Sequence, residues 1–185
     1  MLTAKKHVVW ITGLAGSGKT TLGKLVASEL RAQGHGVVHV DGDAVRTLMG
    51  SDLGYATRDR IDNAYRIARL CKFLQGEGVF AVCTTMSLYE EIWQFNRSNL
   101  DPYLQVYLDV PMSVLTERDQ KGLYSGAAQG LVSDVGGVNL PLSLPIDSHL
   151  VLENADRREL PHNVDSILKA IGCPPARRAE PEVWA

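Results

Sequence analysis

The run Gly13-Leu14-Ala15-Gly16-Ser17-Gly18-Lys19-Thr20 constrains this chain more than any other stretch. It matches G-x-x-x-x-G-K-[ST] and stands between an apolar β-like run (Val8, Val9, Trp10, Ile11) and a helical pattern. In that setting the backbone N–H groups of Gly13, Ala15, Gly16, Ser17 and Gly18, with the N-terminus of the following helix, face a polyphosphate, and glycines stand where a Cβ would collide with it. Lys19 supplies charge to the β- and γ-phosphates, the Thr20 hydroxyl is placed to ligate Mg²⁺, and Thr21 belongs to the same ATP-binding set. The plain alternative is a glycine-rich turn that merely joins a strand to a helix.

The rest of the composition narrows the class. With 185 residues, 45% hydrophobic and 22% charged, the chain fits one globular α/β domain able to bury a core. Its 19 Lys+Arg against 21 Asp+Glu give a formal charge of −2, so no global basic field recruits nucleic acid or an anionic membrane. The expected partner is a small molecule; the assembly, a homodimer included, is left open. Three cysteines without C-x-x-C spacing suit a reduced, cytoplasmic compartment, with Cys71 and Cys83 read as inert core residues. Between Lys5, Lys6 and the first strand there is no room for a signal peptide, and no apolar run approaches transmembrane length.

Beyond the loop, Leu22, Leu25, Val26 and Leu30 follow helical spacing up to Gly34 and Gly36. The next run, Val37 to Asp41, is nearly continuous in apolar residues, as in a parallel strand buried on both faces, with His39 read as structural. It ends in Asp41-Gly42-Asp43 at the carboxyl edge of the sheet, where open α/β sheets bind ligands. A carboxylate there contacts Mg²⁺, for which Asp41 is the candidate, or accepts the proton of an attacking hydroxyl; the competing reading is a helix N-cap for the segment beginning at Ala44. A helix is expected from about Arg58 to Gln75, strands over Val79–Thr84, Gln105–Asp109 and His149–Leu152, and helices from Glu90, over Met112–Arg118 and over His162–Ile171. Ser87 reads equally as a ligand contact and as an N-cap with Glu90 as its capping-box partner. Trp93 and Phe95 are read as packing residues.

Several ordered motifs then make the chain familiar. Gly-Leu-Ala-Gly-Ser-Gly-Lys-Thr-Thr, Asp-Gly-Asp-Ala-Val-Arg (41–46), Asp-Leu-Gly-Tyr (52–55), Asp-Arg-Ile-Asp-Asn (59–63) and Arg-Asp-Gln-Lys-Gly-Leu-Tyr (118–124) together resemble adenylylsulfate (APS) kinase from about Val8 to Asn154. The resemblance implies a P-loop NTPase fold that moves the ATP γ-phosphate, with Mg²⁺, to the ribose 3′-hydroxyl of a small nucleotide, by family default adenosine 5′-phosphosulfate. It makes Asp43 the candidate base beside Lys19, assigns Arg46, Arg60, Asn63 and Ser87 to the acceptor, and sets Tyr55 against the acceptor base. Guanidinium forks and an aromatic face suit such a ligand. Arg58, Asp59, Arg60 and Asp62 also read as a self-neutralising, solvated helix face.

The glycine-rich segment after Asp119, with Gly122, Gly126, Gly130, Gly136 and Gly137, shows little periodicity and reads as a mobile lid over about 119–137 rather than a core element. Closing it would exclude water and bring Arg118, on the ATP side, and Lys121, on the acceptor side, to the transferring group; ordinary exposed loop charge is the alternative. Three departures from the family pattern bear on the acceptor. Ala44 stands where family members have Asn, Ser125 to Gln129 is uncharged where they are basic, and Val135 replaces the Phe of an aromatic clamp on the adenine, forgoing much of a stacking contribution of roughly 1–3 kcal/mol. The motifs Ser87-Leu88-Tyr89-Glu90-Glu91, Trp93, Asn96-Arg97 and 118–127 look like a divergent branch associated with surface-polysaccharide biosynthesis, which includes kinases acting on cytidine diphosphoramidate.

The expected architecture is therefore a single P-loop kinase domain over 1–172, with a mainly parallel, about five-stranded sheet sandwiched between helices, and a flexible tail over 173–185. A regulatory NTPase switch is the competing class, although no N-K-x-D guanine motif is present. A non-catalytic nucleotide-binding module is another.

Overall fold

The computed structural model describes residues 7–50 and 52–175. Five strands, β1 (Val8–Thr12), β2 (Val37–Asp41), β3 (Phe80–Thr84), β4 (Tyr103–Asp109) and β5 (Leu150–Glu153), form one fully parallel sheet in the order β2-β3-β1-β4-β5. The helices are α1 (Lys19–Ala32), α2 (Gly42–Leu48), α3 (Thr57–Gly76), α4 (Glu90–Asn99), α5 (Met112–Arg118), α6 (Leu123–Ala128) and α7 (Leu160–Ala170). The α/β class, the five parallel strands and the helical layers are those expected. None of the described helices is long and apolar enough to cross a membrane.

The two-residue period of β1 decides which side chain enters which layer. Val9 and Ile11 join Leu22, Val26 and Leu30 of α1 and Val164, Ile167 and Leu168 of α7 on one face. Val8 and Trp10 join Ile61, Ile67 and Cys71 of α3 and Ile92 of α4 on the other. Each large side chain buried in this way stabilises the fold by roughly 1.5–3 kcal/mol before chain entropy is set against it. Cys71, Cys83 and Cys173 are all buried, and none is in a disulfide among the described residues.

Strand order places the chemistry. From β1 the chain runs to β2 and back to β3 on one side, then crosses to β4 on the other, so the order reverses beside β1 and opens a crevice at the carboxyl ends. The loop after β1, Asp41 at the end of β2 and Thr84 at the end of β3 meet there.

Three expectations need correction. β2 is not buried on both faces: it is the sheet edge, paired only with β3, and Val40 alone of its residues is buried. The segment 119–137, expected to stand outside the core, contributes to one. It holds α6, and Tyr124 and Val135 are buried with Leu14, Trp93, Tyr107 and Leu115 in a third apolar cluster. The packed unit also runs past 172, because Cys173 is buried and Gln33 Nε2 donates to the Cys173 carbonyl at 3.3 Å; the expected tail from 176 onward lies outside the described residues.

Candidate active site

The loop between β1 and α1 is shaped from outside. Four successive carbonyls accept hydrogen bonds from its surroundings: Leu14 from Lys19 Nζ (2.7 Å), Ala15 from Tyr124 Oη (2.8 Å), Gly16 from Arg118 Nη1 (3.0 Å) and Ser17 from Asn154 Nδ2 (2.7 Å). Carbonyls engaged in this way fix the loop's peptides and leave N–H groups for an anion, except that of Ser17, which donates to the Leu14 carbonyl at 3.2 Å. Gly18 is left-handed (φ 91°), and a Cβ there would collide with the Asn154 amide; at Gly13 it would come within 2.8 Å of Ser17 Oγ. The glycines are thus required by the protein's own contacts as well as by a ligand. No side chain caps the N-terminus of α1 and no acidic residue stands in its first turn, so the orphan amides there are free to take a phosphate.

Lys19 is partly buried, and burial lowers its pKa to about 8 despite the opposing charges of Asp43 and Asp41. Asp41 is the N-cap of α2: Oδ1 accepts from the N–H of Asp43 (3.1 Å) and Ala44 (3.3 Å). Its Oδ2 accepts from the Thr20 hydroxyl at 3.0 Å and the Thr84 hydroxyl at 3.2 Å. Burial alone would raise the Asp41 pKa, but the hydrogen bonds from Ala44, Thr20, Thr84 and Asp43 outweigh it and hold the group below the ordinary carboxylate range. The two readings of Asp-Gly-Asp are therefore divided. Asp41 caps, with the helix starting at Gly42, two residues before the expected Ala44, and Asp43 stands in the first turn, its exposed carboxylate 3.5 Å from Lys121 Nζ.

Thr20 and Asp41 suit a hard divalent cation that takes one or two protein oxygens and completes its shell with phosphate and water. No group of three or more His, Cys, Asp or Glu that would form an all-protein metal cage exists among the described residues.

A cleft of about 690 Å³ collects most of the candidates: Ala15, Gly16, Gly18, Lys19, Thr20, Thr21, Asp41, Asp43, Tyr55, Arg60, Lys121 and Val135 all line it. At its far end Tyr55 is 60% exposed, with the guanidinium carbons of Arg46 and Arg60 at 4.9 and 5.4 Å from its ring centre. Arg60 also clasps the overlying segment: Nε donates to the Tyr55 carbonyl (2.6 Å) and Nη2 to the Asp134 carbonyl (3.0 Å). Val135 forms the aliphatic wall with Leu131 and Val132.

Other candidates stand behind the wall. Gly13, Ser17 and Arg118 support the loop; Arg118 also binds the carbonyls of Asn154 (3.0 Å) and Ala155 (2.6 Å). Arg46 is engaged with the carbonyls of Leu53 and Gly54. Asn63 is buried, donates to the Gly42 carbonyl at 3.4 Å, and its Oδ1 has no hydrogen-bond partner among the described residues. Ser87 must be corrected on both readings. It lies buried under the site, accepting from Trp10 Nε1 at 2.8 Å, and α4 starts at Glu90 without a side-chain cap. A buried indole N–H needs a partner, and Ser87 is it. Sequence reasoning missed Asn154 and the role of Tyr124; a polar residue closing a strand was the available signal for the first, and nothing local marked the second.

The family model for adenylylsulphate kinase matches residues 5–153. The chain is 36% identical over 165 residues to a cytidine diphosphoramidate kinase of Campylobacter jejuni, covering 89% of this chain and 96% of that one. It is 38% identical over 166 residues to an adenylyl-sulfate kinase of Deinococcus deserti, covering 90% and 91%. Among solved structures, the APS kinase of Mycobacterium tuberculosis in complex with AMPPNP and APS superposes with a TM-score of 0.84 at 27% identity, over 91% of this chain and 98% of that one.

Proposed function

The chain belongs to the adenylylsulphate kinase family, and from that premise we propose that it transfers the γ-phosphoryl group of ATP to the ribose 3′-hydroxyl of a small anionic nucleotide, preferring a cytidine nucleotide such as cytidine diphosphoramidate. The observation that carries the chemistry is a single cleft holding both a donor set (Lys19, Thr20, Asp41) and an acceptor set (Asp43, Tyr55, Arg60).

Lys19 and the free amides of the loop and α1 hold the β- and γ-phosphates. Thr20 and Asp41 would hold Mg²⁺, which when bound would supply charge neutralisation to the β- and γ-phosphates. Asp43 takes the proton of the acceptor hydroxyl as its oxygen bonds to the γ-phosphorus and the bond to ADP breaks. Lys121 sets a cation beside that reaction, and the 119–137 segment excludes water that would compete with the acceptor. Tyr55 and Arg60 orient the acceptor nucleotide from the opposite end.

The preference rests on Val135. Val135, Leu131 and Val132 give the cleft an aliphatic wall, which suits a small pyrimidine, while the single exposed ring of Tyr55 supplies one stacking face. Adenylylsulphate is the second reading, favoured by the relatives named for it at comparable identity. The test is ATP consumption with no acceptor, with APS, with cytidine diphosphoramidate, and with plain nucleosides. Acceptor-dependent turnover with either nucleotide supports the kinase, and their kcat/KM ratio assigns the substrate. Turnover independent of any acceptor would instead describe a hydrolytic switch.

A further inference from the structure

Tyr124 is the feature that the proposed chemistry leaves unused. It lies on α6, inside the segment that covers the cleft, 4% exposed, its ring packed in the cluster of Leu14, Leu115 and Val135. Its hydroxyl donates to the Ala15 carbonyl at 2.8 Å, 109 residues earlier in the chain. The neighbouring carbonyls of Gly16 and Ser17 are held by Arg118, the last residue of α5, and by Asn154, just after β5. Of these three tethers from outside the loop, only Tyr124 comes from within α6.

α6 itself is placed from close by. Asp119 Oδ1 accepts from the N–H of Tyr124 (2.9 Å) and Ser125 (3.2 Å), and Asp119, Lys121 and Gly122 all adopt left-handed backbone (φ 33°, 59° and 66°). The same short stretch therefore sets Lys121 beside Asp43 and Tyr124 against Ala15.

We propose that Tyr124 is a positioning residue that couples the covering segment to the conformation of the phosphate loop. With α6 seated, the Ala15 carbonyl is held by Tyr124 and the local peptide is preset for phosphate; with α6 displaced, the Ala15 carbonyl loses its donor and that one peptide is free to rotate between neighbours still held by Lys19, Arg118 and Asn154. Phosphate binding and seating of the segment then favour each other, as linkage requires of two events that share one contact. The coupling rests on the reading of the loop as the ATP site.

The test is Tyr124→Phe, which keeps the buried ring and removes only the hydroxyl. Amide hydrogen exchange on the protein without nucleotide reads the tether directly. Exchange over residues 14–18 and over 123–128 is expected to rise together, by about two- to tenfold, the range for one lost hydrogen bond, with the melting temperature nearly unchanged. In turnover, KM for ATP is expected to rise by a similar factor while KM for the acceptor stays at its wild-type value, a split that a general loosening of the fold would not produce. Wild-type exchange over 14–18 in the variant overturns the proposal, as does an increase confined to 123–128. Failure of the wild-type protein to use ATP would refute the kinase reading alone, since the exchange experiment still decides the tether.

Discussion

Lys121 Nζ lies 3.5 Å from Asp43 Oδ2, which joins the segment over the cleft to the first turn of α2. Lys121 reaches that point from left-handed backbone (φ 59°), a conformation that costs a non-glycine residue roughly 1–3 kcal/mol. Both partners are exposed, so the ion pair contributes little stability of its own. Its significance is positional: a cation is delivered to the carboxylate proposed as the base.

Asp43→Asn should lower kcat by about 10²- to 10⁴-fold, the usual span for loss of a general base, and leave KM for ATP close to wild type. Because Asp41 and not Asp43 caps α2, the melting temperature should not move. Steady-state kinetics on the folded variant check this, and near-wild-type kcat would remove Asp43 from the chemistry.

Asp41 has two separable duties. Asp41→Asn retains an N-cap acceptor but loses the carboxylate oxygen that accepts from Thr20 and Thr84, so it should be destabilised less than Asp41→Ala, which should lose about 1 kcal/mol from the cap alone. Both variants should need a higher Mg²⁺ concentration for half-maximal rate, since each removes a carboxylate next to Thr20. A Mg²⁺ titration unchanged in Asp41→Asn would leave Asp41 as a cap only.

The depressed pKa of Lys19 gives ATP binding a pH signature. Below about pH 8 the ammonium is charged and affinity should be flat; as pH rises through that value the free enzyme loses the proton that phosphate binding needs, and affinity should fall, by at most about tenfold per pH unit. Asp43 and Asp41 both raise this pKa, so in Asp43→Asn the break should shift to lower pH. Nucleotide titration between pH 6.5 and 9.5 in wild type and variant measures both.

Val135→Phe tests the acceptor reading. Val135 is 4% exposed, packed in the third apolar cluster and lines the cleft, so a larger ring overpacks the cluster, at about 1–3 kcal/mol in stability, unless it turns into the cavity. Where the ring reaches the cavity it would supply a stacking face for adenine, and kcat/KM for APS relative to the cytidine nucleotide should rise by about five- to a hundredfold. A wild-type preference for APS that the substitution leaves unmoved would return the enzyme to the family's usual acceptor.

The sequence alone determined the local grammar: a glycine-rich loop between strand and helix, the alternation of strands and helices, α5 to the residue, and carboxylates ending β2. These follow from nearest neighbours along the chain, because φ requirements, capping and apolar period are short-range properties. Tertiary structure decided the rest. Val37 to Asp41 is as apolar as a central strand, yet strand order set it at the edge, which no period records. Ser87 looked available for a ligand until Trp10, 77 residues away, took its hydroxyl. The glycine-rich segment read as a mobile connection rather than a core element because its burial comes from Leu14, Trp93 and Leu115 and not from its own periodicity. The phosphate loop shows the division most clearly. Its letters specify that amides can face an anion, but Tyr124, Arg118 and Asn154, 109, 102 and 137 residues further on, hold the carbonyls that make them do so. A backbone acceptor carries no mark of its donor in the sequence, and only the folded chain brings the two together.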